Sequence, residues 1–78
     1  MTGPELTTPQ RRVLQMIADN PGITRREIAG ALEESFKTAS AIAMALEFRG
    51  LAELEAVRPV SYTITVKGIE ALEEGTHE

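Results

Sequence analysis

The stretch SFKTASAIAMALEFRGLAEL, residues 35–54, places the tightest constraint on how this chain can fold. Ala39, Ile42, Ala43 and Leu46 recur on one helical face, which predicts a helix from Phe36 or Lys37 to Arg49. Gly50 ends it in a left-handed conformation that residues with a Cβ resist. The period then changes to two. Leu54 and Ala56 alternate with Glu53 and Glu55, which predicts a half-buried strand over 51–57. A helix that passes over one glycine straight into a strand must lie close to the sheet that strand joins.

The flanking sequence completes a small α+β domain, mostly α. Residues 1–7 read as a flexible lead in which Leu6 can tuck back as an apolar anchor. Thr8 and Pro9 then open a first helix, with Val13, Leu14, Ile17 and Ala18 inward, stopped by Asn20-Pro21-Gly22. Thr24 and Glu27 have the spacing of a capping box, and Ile23 can act as its hydrophobic staple. The second helix is expected from Arg25 to about Glu33, with Ile28, Ala29 and Leu32 inward. Glu34-Ser35-Phe36 makes the next turn. Arg58-Pro59 turns the first strand into a second over 60–64, with Tyr62 and Ile64 on one face. Thr65 caps a last helix that buries Ile69 and Leu72 and closes at Gly75, so the domain spans 8–75 and the tail 76–78.

Composition removes several classes of function. A chain of 78 residues forms one domain, and at that size only about 60% of the unfolded surface is buried. There is no cysteine, and the single histidine, His77, lies in the tail, so no thiolate or histidine metal site and no cofactor is expected. No Gly-rich phosphate loop is present. The paired acids Glu33-Glu34 and Glu73-Glu74 are adjacent on helices and diverge, so no enzyme is expected. The first ten residues lack a basic start and an apolar run, and no segment is long and apolar enough for a bilayer; a cytoplasmic location is expected. Net charge is −4, but residues 1–68 carry 8 acids and 8 bases, and the excess lies in the last ten residues.

Two strings carry a family resemblance: TASAIAMALEFRGLAEL, with its Leu-Glu-x-Arg-Gly-Leu ending, and YTITVKGIEAL, similar to a Tyr-x-Leu-Thr-x-x-Gly motif with Ile64 at the leucine position. In this order and at this spacing the chain resembles winged helix-turn-helix regulators of the MarR and PadR type, over roughly 8–72. The resemblance implies a three-helix bundle, a β-hairpin wing and a short C-terminal helix. It also implies sequence-specific binding of double-stranded DNA by a homodimer that regulates transcription, with repression favoured over activation. The family's long flanking dimerisation helices find no match in the lead or the last helix, so a dimer is expected to use another surface.

The third helix of such a fold enters the major groove. By position, Lys37, Thr38, Ser40 and Ala41 would face base edges, Lys37 towards guanine or phosphate and Ala41 towards a thymine methyl. Ser35 is a candidate phosphate contact; Ser35 and Thr38 equally suit helix capping. Arg25 and Arg26, at the start of the second helix, form a candidate phosphate clamp. Arg11 and Arg12 are weaker candidates. Arg58 at the wing tip is the only base between Leu51 and Ile64. Family wings carry a base at that place.

Other residues run against DNA binding. Ala41 stands where relatives often have arginine, Phe48 replaces a usual lysine, and Glu53 and Glu55 line the wing strand. Roughly four to six phosphate contacts would give weak, steeply salt-dependent binding by a monomer. Ala41, Met44, Ala45 and Phe48 form a second apolar stripe on the third helix. Either part of it packs under the hairpin, or Met44 and Phe48 mark a dimer or partner surface. The alternative function is therefore a winged-helix protein-interaction module that does not read DNA.

Overall fold

Two capping boxes set the first two helices. The computed structural model describes residues 6–55 and 61–75, apart from the side chains of residues 74 and 75. In α1 (Thr8–Asp19) the N-cap is Thr7, one residue before the expected Thr8. Its hydroxyl accepts from the Gln10 amide while Gln10 Oε1 accepts from the Thr7 amide, which displaces the cap by one position. In α2 (Arg25–Leu32) the expected box forms: Thr24 Oγ1 accepts from the Glu27 amide, and Glu27 Oε1 accepts from the Thr24 amide at 2.9 Å. Each box satisfies two backbone donors that helix geometry leaves open.

Helix α2 stops at Leu32, short of the expected Glu33. Glu33 instead adopts φ 59°, the left-handed region. Its amide donates to Gly30 O and that of Glu34 donates to Ala29 O, a Schellman closure. The next helix, α3 (Phe36–Phe48), begins at an N-cap Ser35. It ends in a second Schellman closure, with Gly50 at φ 80°. The Gly50 amide donates to Glu47 O at 2.9 Å and the Leu51 amide to Leu46 O at 3.0 Å.

Two strands follow, β2 (Ala52–Glu55) and β3 (Ser61–Ile64), antiparallel with Ala52 opposite Ile64 and Leu54 opposite Tyr62. A further strand, β1 (Ile23–Thr24), pairs with the other edge of β3, Ile23 opposite Tyr62 and Thr24 opposite Ser61. The sheet order is β1-β3-β2, so β3 is central. Ile23 was expected only as a staple; it is also a buried member of this ladder. The Arg58-Pro59 turn, the inward Ala56 and the tail with His77 lie outside the described residues.

The core gathers Val13, Leu14 and Ile17 of α1, Ile28 and Ala29 of α2, Ala39, Ala43 and Leu46 of α3, and Ile23, Leu51, Ala52 and Tyr62. Leu6, Ile42, Leu32 and Leu54 pack at its margin as expected. The last helix, α4 (Val66–Gly75), departs from expectation. Ile69 is 44% exposed, whereas Gly68 is buried and Ala71 and Leu72 are half-buried. The cause is the close approach of Gly68 to the Leu51 backbone. A Cβ there would collide with Leu51 O and lie 2.8 Å from Ile64 Cγ1. That contact turns Gly68, not Ile69, to the core.

Two substitutions test these backbone features in thermal or urea unfolding. Gly68→Ala is expected to lose at least about 1–3 kcal/mol through overpacking. Glu33→Gly is expected to gain on the order of 1 kcal/mol, since a Cβ is disfavoured in left-handed backbone.

Candidate nucleic-acid interface

The outward face of α3 is a single stripe. Ala39, Ala43 and Leu46 are fully buried, whereas Lys37, Ala41, Met44 and Phe48 are all exposed, at helical spacing on the opposite side. Met44 is 51% and Phe48 94% exposed, so these two are left open by the described strands, whereas Ala45 of the same stripe is half-buried. One helix thus carries a polar N-terminal end and an apolar C-terminal end along one line.

Within the polar end, Ser35 and Thr38 hold each other. Ser35 Oγ accepts from the Thr38 amide at 3.1 Å and donates to Thr38 Oγ1 at 3.0 Å. Both side chains are exposed, and both are engaged in capping. Lys37 between them is exposed. Ser40 is half-buried. Its Oγ is buried without a hydrogen-bond partner, so contact with a base edge would require a change of rotamer.

At the N-terminus of α2, Arg26 is exposed and Arg25 is half-buried. Arg25 Nε donates to Tyr62 Oη at 2.9 Å, and the guanidinium carbon lies 5.8 Å from the Tyr62 ring centroid. Strand β1 places them together: Thr24, immediately before Arg25, is paired to Ser61, immediately before Tyr62. The two residues are 37 apart in sequence, so no local spacing signals the contact. The same terminus also holds Glu27, whose carboxylate is turned back to the Thr24 amide and offsets part of the positive potential there.

The remaining charges are dispersed. Arg11 is half-buried and Arg12 exposed on α1, and Arg49 Nη1 donates to Gln10 Oε1 at 3.2 Å. Glu53 and Glu55 point outwards from β2, opposite Thr63 and Ser61. Arg58 lies outside the described residues. Among the described residues, no group of three or more His, Cys, Asp or Glu is placed to hold a metal ion, and no helix is long and apolar enough to cross a membrane.

No protein-family model matches the chain, and no curated protein matches it. Solved structures do. MepR, a transcription regulator of the Staphylococcus aureus multidrug efflux pump MepA, aligns with a TM-score of 0.80 and 25% identity over 88% of this chain and 54% of its own. MepR in complex with DNA aligns at 0.79, with 25% identity over 91% of this chain and 62% of its own. A Listeria innocua protein of unknown function aligns at 0.81 with 29% identity, over 88% of this chain and 50% of its own. A MarR family protein from Bacillus stearothermophilus aligns at 0.81 with 23% identity, over the same shares. The chain spans about half the length of the first structures it matches.

Ser35, the N-cap of α3, and Ser40 within it are expected to differ in their contribution to stability. Ser35→Ala should lose about 1 kcal/mol in thermal unfolding as the cap is removed. Ser40→Ala should be neutral or mildly stabilising, because it deletes a buried hydroxyl that has no partner. In fold, the chain is a winged helix-turn-helix domain of the kind found in MarR-family transcription regulators.

Proposed function

We propose that this domain binds double-stranded DNA and regulates transcription, with the N-terminal turns of α3 in the major groove. One observation carries the reading. The exposed end of α3 with Lys37 lies in a fold that aligns at a TM-score of 0.79 with MepR in its DNA complex. Lys37, Thr38 and Ala41 are the base-facing candidates, with Ser40 after a rotamer change. Arg25, Arg26, Ser35 and Arg58 are the phosphate candidates. Repression by occupying the duplex is the simplest mode of action.

The apolar end of α3 fits a different task in the same complex. At about 1.5 Å per residue, Phe48 lies roughly 16 Å along the axis from Lys37. The major groove is about 12 Å wide. Phe48 therefore lies more than a groove's width from Lys37 while the polar end of α3 meets the bases, whereas Met44, seven residues from Lys37, lies within that width. A second copy meeting this surface would make a homodimer and double the phosphate contacts available to one duplex.

Sizing the protein with and without random-sequence duplex, at about 50 mM salt and again at higher salt, tests the reading. Complex formation that weakens steeply with salt is expected. Arg26→Gln and Lys37→Gln should each make the slope of log affinity against log salt shallower by about 0.9. Phe48→Glu should convert a dimer to a monomer. A chain that binds no duplex at the lower salt would be the protein-interaction module instead, and Phe48→Glu would then abolish capture of its partner.

A further inference from the structure

We propose that Tyr62 is a positioning residue that aims Arg25 at a DNA phosphate, which deepens the DNA-binding reading and rests on it. Tyr62 is wholly buried. It sits on the central strand, paired to Ile23 on one side and Leu54 on the other, so its ring is a fixed point. Its hydroxyl accepts the Arg25 Nε–H at 2.9 Å, and its ring lies 5.8 Å from the guanidinium carbon, within cation–π range. The backbone of Arg25 is fixed as well, by the Thr24–Glu27 capping box and by the pairing of Thr24 with Ser61.

A long arginine side chain normally loses several rotamers when it grips a ligand. Here Nε is already occupied from the protein side, and the Nη N–H groups remain to bind a phosphate oxygen pair. The ordering cost falls on folding rather than on DNA binding, which is how a preorganised contact gains affinity. Lysine could not substitute, since it has no Nε–H to anchor and a donor head at its tip alone. Neighbouring Arg26 is exposed and has no such tether among the described residues. The two arginines of the clamp are therefore unequal: Arg25 is aimed, and Arg26 adds charge.

The test is a double-substitution cycle in the whole chain, with random-sequence duplex as the probe and fluorescence anisotropy across a salt series. Tyr62→Phe keeps the buried ring and removes the acceptor. It is expected to weaken binding about three- to tenfold and to make the salt slope shallower by about 0.9, as one phosphate contact is lost. Its effect should vanish in an Arg25→Ala background and persist in an Arg26→Ala background. Arg25→Lys should match Tyr62→Phe and be insensitive to it. An equal loss on Tyr62→Phe with and without Arg25, or an unchanged salt slope, would overturn the proposal and leave Tyr62 a core residue only. Binding that is weakened by Arg25→Ala but untouched by Tyr62→Phe would sink the positioning role alone. No binding by the unsubstituted chain would remove the DNA reading itself, and this role with it.

Discussion

The structure turns on a small backbone clasp between the end of α3 and the start of α4. Thr65 Oγ1 donates to Gly50 O at 2.8 Å, the Thr65 amide donates to Leu51 O at 3.2 Å, and Thr65 Oγ1 in turn accepts from the Gly68 amide at 3.0 Å. Gly68 lies against Leu51 O so closely that no side chain fits. These contacts fix the left-handed turn at Gly50, and with it the angle at which α3 gives way to β2. The two motifs that carry the family resemblance, the Gly-Leu after α3 and the Thr-x-x-Gly before α4, are thus two halves of one junction. Within this chain the two depend on each other: the turn at Gly50 brings Leu51 O to Thr65 and Gly68, and the missing side chain of Gly68 lets it approach.

The sheet and the start of α2 follow from that junction. The junction sets β2, β2 sets β3 through the ladder, and β3 takes β1 on its far edge. Strand β1 runs directly into α2, so the sheet reaches from the hairpin to the arginine pair that begins the helix. Tyr62 sits at the middle of this path, with strands on both sides and Arg25 on its hydroxyl. The polar end of α3 is held separately, by the Ser35–Thr38 cap and by the buried Ala39, Ala43 and Leu46. The small alanines of that face let α3 pack closely on its neighbours and leave its opposite stripe outside.

The features legible in the sequence were those with a local cause. The Thr24–Glu27 box, the Gly50 stop and the α3 core stripe each follow from residues within one or two turns of each other. The parts that were not legible depend on contacts between distant residues. A two-residue strand such as β1 has no periodicity to detect; it forms because β3 presents an unpaired edge beside Ile23. Ile69 appeared inward by spacing, yet the close approach at Gly68 turns it out. Glu33 in left-handed backbone gave no signal, because its residue type does not favour that conformation. In the candidate interface, Lys37 and Arg26 lie at the surface, the Ser40 hydroxyl is buried, and the Arg25–Tyr62 contact joins residues that no motif connects.

An amide NMR titration of the chain with random-sequence duplex at low salt tests the central claim most directly. If α3 enters the groove and the start of α2 grips phosphate, shifts should concentrate at residues 24–27 and 35–41, fade as salt is added, and spare the core of α1. Shifts confined to α1 or α4, or none at all under conditions where electrostatic binding is strongest, would contradict it.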